Sequence, residues 1–140
     1  MFDLDALVYA DTREIAIKDP AGKPTTWRVS VAGPGHPASA AARAKADQRQ
    51  QALEAKRAAA IHRNEAPPAA DFAEAREFYA DQLAMRIVGW SPVRFSGEDF
   101  AYTAENARRL LTEPRFGFVA NQIAEAVQDL SGFMTGAAPS

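Results

Sequence analysis

The chain contains no cysteine and only two histidines. The first absence excludes disulfides and thiolate metal sites and fits a reducing compartment. The second leaves little for imidazole chemistry. His36 sits in a Gly-Pro loop and His62 in a polar stretch, and neither has a metal-ligating companion three or four residues away. No apolar run approaches the ~20 residues needed to cross a bilayer. The opening MFDLDALVYADT places three aspartates ahead of its first basic residue, which is not the charge order of a secretory signal. A soluble intracellular protein without membrane attachment is the expectation.

Catalytic patterns are missing too. No serine or threonine has the surroundings of a nucleophile elbow. Gly33-Pro34-Gly35 does not match the glycine patterns that cradle phosphate. The acidic pairs Asp3/Asp5 and Glu98/Asp99 read as caps and loop charges. The chain is therefore expected to be no enzyme and to carry no cofactor or metal. Net charge is -2, and the one basic stretch has no interleaved aromatics, so nucleic acid is not an expected partner.

What is present is organisation. The chain has 140 residues, enough for one compact domain or a small domain with an arm. TREIAIK (12–18) and TWRVSVAG (26–33) alternate apolar and polar residues, and DPAGKPT (19–25) between them is dense in turn formers. The pair predicts a β-hairpin. A lone hairpin is marginal in water, so its apolar face must pack on a helix of this chain or on another subunit. Residues 2–10 suggest a short helix with Phe2, Leu4, Leu7 and Val8 as apolar contacts.

After GPGHP, residues 38–63 are rich in Ala, Gln, Lys, Arg and Glu, all strong helix formers, with only Leu53 and Ile61 as large apolar side chains. So polar a helix projects into solvent or lies lightly on a partner. Residues 41–63 carry six basic residues against Asp47 and Glu54, whereas residues 64–140 carry six basic and eleven acidic ones. The two regions read as solvated faces of opposite sign, or as a basic arm docked on an acidic surface. Pro67-Pro68 marks a hinge.

Asp71 and Glu74 form a candidate capping box. Phe72, Tyr79, Leu83 and Ile87 make an apolar stripe that Phe78 and Met85 widen, and Gly89 is placed to end that helix in a left-handed cap. Thr103 is a candidate N-cap for a helix through Thr112, with Ala107, Leu110 and Leu111 facing inward. Pro114 suits the first turn of a last helix, along which Phe116, Val119, Ile123, Val127, Leu130 and Met134 keep 3–4 spacing. The expected fold is α+β: a β-hairpin module (1–35), a polar helical arm and hinge (36–70), a three-helix bundle (71–134) and a disordered tail (135–140).

Trp90, Val93, Phe95, Phe100 and Tyr102 cluster between two helices and are the candidate partner-binding residues. Trp90 has two readings: a core plug between the helices that begin at Asp71 and Thr103, or a partly exposed anchor of the kind that dominates interfaces.

Three stretches together resemble the tail assembly chaperones of long-tailed bacteriophages. REIAIKDPAGKPTTWRVSVAGPGHP is similar to that family's strand, Asp-Pro-x-Gly-x-Pro turn, second strand and Gly-Pro exit. IVGWSPVRFSGEDFAYTAENARRLL resembles its helix ending at Trp, a short loop and a Thr-x-Glu-Asn-Ala helix start. FGFVANQIAEAVQDLSGFM resembles its closing helix. Loop 91–102 departs from the family by adding Arg94, Phe95 and Phe100. The resemblance implies a non-catalytic chaperone in the host cytoplasm, absent from the mature virion, that coats the tape measure protein and recruits tail tube subunits. Self-association through the hairpin edges stays open, as does the alternative of a structural virion component, a minor tail or head-tail connector protein.

Overall fold

The structure is a computed structural model that describes residues 1–4 and 9–134. The expected tail lies outside the described residues, as do Leu7 and Val8 of the expected first helix. Phe2 and Leu4, expected as contacts of that helix, are exposed.

The fold is α+β, as the sequence implies. β1 (Thr12–Lys18) and β2 (Pro24–Ala32) form the antiparallel hairpin, with Ile15 opposite Val29 and Thr12 opposite Ala32. Its turn is organised by Asp19, whose Oδ1 accepts from the backbone N–H groups of Ala21 and Lys23. This is the local carboxylate-to-backbone bonding that favours Asp in turns.

Next come α1 (Pro37–His62), α2 (Phe72–Arg86) and β3 (Ile87–Trp90), a small hairpin of β4 (Arg94–Phe95) and β5 (Glu98–Asp99), then α3 (Ala104–Thr112) and α4 (Gly117–Gln128). A 3-10 turn, Pro114–Phe116, leads into α4, and a second, Leu130–Phe133, follows it. The main sheet has the order β1-β2-β3, with β2 in the centre.

β3 corrects the sequence reading. The helix before it does not run on to a left-handed cap at Gly89. It ends at Arg86, and Gly89 pairs with Ser30 inside the third strand, with no positive φ. The cause is non-local. The free edge of β2 offers a ladder, and Ile87-Val88 are β-branched residues that suit it.

One core joins sheet and helices. Ile17, Val29 and Val31 of the hairpin meet Leu83, Ile87, Leu110, Val119, Ile123 and Phe133. Each such large side chain contributes about 1.5–3 kcal/mol when fully buried. The hairpin's apolar face is thus covered by helices of its own chain.

α1 is capped by His36, whose Nδ1 accepts from the Ala38 N–H. It touches the body lightly, burying only Ser39, Ala42 and Ala60. Arg49 forms a two-point ion pair with Glu74 of α2, at 3.0 and 2.8 Å. That hydrogen bond from Arg49 holds the Glu74 carboxyl below its ordinary range. The basic arm therefore docks on an acidic residue of its own chain. Glu74 is thereby drawn away from the reciprocal half of the capping box, and Asp71 caps α2 alone by accepting from the Glu74 N–H.

The last helix also stops earlier than its spacing predicts, at Gln128. Arg13 reaches the carbonyl of Ala126 and the carboxylate of Asp129, which places a cation at the helix C-terminus. Beyond it Leu130 and Met134 are exposed, while Phe133 is fully buried and accepts from the Ala10 N–H. Gln122 of α4 bridges to β1. Its Oε1 accepts from the Lys18 N–H at 2.7 Å, and its Nε2 donates to the Lys18 carbonyl at 2.9 Å.

Candidate functional site

The five partner-binding candidates come together around one small hairpin. Ser96 and Gly97 both have positive φ, 54° and 80°, and separate Phe95 from its partner Glu98. Two consecutive left-handed residues are the signature of a type I′ turn, which matches the twist of the strands it joins. The turn folds loop 91–102 back on itself and sets Phe95 beside Phe100, with ring centres 5.3 Å apart.

Trp90 is the hub. Its ring lies 5.5 Å from Phe100, 5.2 Å from Tyr102 and 5.9 Å from Trp27 on β2. The offset and edge-on contacts are those aromatic rings favour. Its Nε1–H donates to the Phe100 carbonyl at 2.8 Å, and the Tyr102 hydroxyl donates to the Ile87 carbonyl at 2.8 Å. Burial pushes the Tyr102 phenol up from its ordinary pKa. Trp90 is half-buried, and these ring partners belong to β2 and the 91–102 loop rather than to the two helices expected to flank it. Phe100 is buried.

In front of this cluster is a cleft of about 340 Å³, lined by Ile17, Trp27, Val93, Phe95, Phe100 and Phe116, with Asp19 and Arg94 as its charged members. Val93, Phe95 and Phe100 thus form wall, while Trp90 and Tyr102 brace the wall from behind.

A second apolar surface was not anticipated as a site. Phe72 and Tyr79 of α2, expected as part of an apolar stripe, are 74% and 53% exposed. They border a groove of about 450 Å³ shared with Ala75, Leu83, Leu111 and Ala120. Cleft and groove draw on the same two helices, α3 and α4. Leu110 and Val119 line the cleft, and their sequence neighbours Leu111 and Ala120 line the groove. Adjacent residues on a helix point about 100° apart, so α3 and α4 form a shared partition.

Among the described residues no group of His, Asp or Glu is placed to hold a metal ion, and no helix is long and apolar enough to cross a membrane. In comparisons with protein-family models, curated proteins and solved structures, nothing matches this chain.

Proposed function

We propose that this chain is a non-catalytic assembly chaperone whose α2 groove holds an apolar helix of a client protein. The observation that carries the reading is the exposure of Phe72 and Tyr79, two turns apart on α2, beside a groove floored by Leu83, Leu111 and Ala120. Such a surface suits the helix-in-groove mode, in which an amphipathic helix lays its apolar face between other helices. Exposed contiguous apolar surface of this kind marks interaction sites.

The resemblance supplies the client. It is the tape measure protein of a long-tailed phage, whose long helices need cover until tail tube subunits, also recruited by the chaperone, assemble around them. The place of action would be the host cytoplasm, and the protein would leave before the virion is complete.

The test is co-expression with the tape measure protein of the same genome. The expected result is a soluble client that copurifies with the wild-type chain but is lost with a Phe72→Ser, Tyr79→Ser double variant that remains folded by circular dichroism. A client that stays insoluble beside the wild-type chain, with this chain recovered at fixed copy number from purified particles, would overturn the reading in favour of a structural virion component.

A further inference from the structure

Two arginines stack on Phe95 at the margin of the cleft behind the α3–α4 partition, outside its lining, whereas Arg76 is the cation that lines the α2 groove. Arg109 of α3 lies over the Phe95 ring, 4.8 Å from its centre, and 5.8 Å from the centre of Phe100. Arg115, in the 3-10 turn before α4, lies 5.4 Å from the same Phe95 ring and 5.5 Å from Phe116. Two guanidinium groups therefore share one aromatic platform. A guanidinium over a ring uses its planar face there and keeps its edge N–H donors for a planar acceptor such as carboxylate.

The neighbouring charges decide what these donors can hold. Arg115 directs its Nε to Glu113 at 3.3 Å, an exposed pair of small energetic weight. Arg94 meets Asp99 across the small hairpin at 3.7 Å, with both side chains almost wholly exposed. Among the described residues no carboxylate lies within ion-pair distance of Arg109. Arg94 and Asp19 are the charged residues that line the cleft; Asp19 is occupied in the β1–β2 turn, and its negative charge repels a second anion at that end. The cleft is thus apolar in the middle, cationic beside Phe95 and anionic at the hairpin turn.

A second observation concerns Trp27, which lines the same cleft. Its Nε1–H is buried without an acceptor among the described residues. That unpaired donor costs free energy and, having no exposed surface, lies out of an occupant's reach, so Trp27 offers the cleft its ring alone.

We propose that this cleft recognises a partner segment carrying a large apolar side chain with a carboxylate one helical turn away. The apolar side chain enters between Trp27 and Phe95, and Arg109, assisted by Arg115, grips the carboxylate. Polarity follows from Asp19: the acidic group sits at the α3 end. The idea rests on the proposed function in taking the partner to be a helical protein segment, and it adds a charge rule to a recognition that would otherwise depend mostly on apolar surface. The α2 groove offers mostly apolar surface with Arg76 as its charged lining residue, while the Arg109 cleft would add a choice for acid beside a large apolar side chain.

The test uses synthetic helical peptides of about 20 residues, long enough to hold helical structure. Three peptides are identical except for Glu, Gln or Lys placed four residues from a single Phe. The readout needs no label, because both tryptophans of the chain, Trp27 and Trp90, belong to this cluster. The Glu peptide should shift their emission and bind about two- to fivefold more tightly than the Gln peptide, the range expected for an ion pair at an exposed arginine. Arg109→Gln should erase that difference. Arg109→Lys, which keeps the charge and loses the planar fork, should restore only part of it.

Equal affinity for the Glu and Gln peptides would overturn the proposal. So would a Glu preference that survives Arg109→Gln, or binding of a short oligothymidine with no binding of any peptide. Because the peptides are synthetic, failure here leaves the client test untouched. Failure to solubilise the tape measure protein leaves the charge rule to be judged on peptides alone.

Discussion

Two groups of aromatic side chains behave in opposite ways. Phe72 and Tyr79 stand on a regular helix, and both are largely exposed. Trp90 and Phe100 flank a loop whose sequence shows no period, and they are half-buried and buried respectively. Periodicity tells which residues share a face of a helix, and it is silent on whether anything covers that face. Only the C-terminal part of α2, at Gln82, Leu83 and Ala84, is buried, so the stripe is covered at one end and bare at the other. The loop, by contrast, is closed by a two-residue turn, and closure gives each ring a neighbour.

The contrast can be broken by substitution. The largest effect is expected at Trp90→Ala, which removes three ring contacts and the hydrogen bond to Phe100 and should lower unfolding free energy in urea by roughly 3 kcal/mol. Tyr102→Phe tests the loop more finely. It leaves the ring and removes the donor to the Ile87 carbonyl, for an expected loss of about 1 kcal/mol. The smallest effect is expected on the helix side, where Phe72→Ala should change stability by no more than about 0.5 kcal/mol while weakening client binding. If Phe72→Ala destabilised the chain as much as Trp90→Ala, the two regions would not differ in kind.

The same contrast explains which features were legible in the sequence. The β1–β2 hairpin was readable because its alternation and its Asp-Pro turn are local signals. α3 was readable residue by residue, since Thr103 accepts from the Asn106 N–H as an N-cap should and the helix ends at Thr112, ahead of Pro114. β3 was not, because Ile87–Trp90 continues a helical pattern and is diverted by the open edge of β2, some 60 residues earlier in the chain. Phe133 was missed for a related reason. Spacing pointed to Met134, but α4 stops at Gln128, and the turn that follows brings Phe133 inward instead.

Loop 91–102 did carry a usable signal. Ser96-Gly97 is a turn dipeptide, and its positive φ values would have paired Phe95 with Glu98 and drawn the aromatics together. The α2 groove left no such trace, because bareness depends on the length and placement of neighbouring helices. Nor could sequence place Arg109 over Phe95, which requires the hairpin and α3 to be packed first.

The side-chain bridge from Gln122 to Lys18 has a consequence for how this protein meets others of its kind. The Gln122 amide presents one donor and one acceptor to the backbone of an outer strand, as a neighbouring peptide group would. It imitates the next rung of a ladder with no chain behind it to carry the ladder on. A molecule crowded with copies of itself is dangerous when its sheet can act as a template for stacking. Here the end of β1 is already occupied by a rung that leads nowhere, so growth of a fibre from that end would first have to evict a residue held by the protein's own last helix.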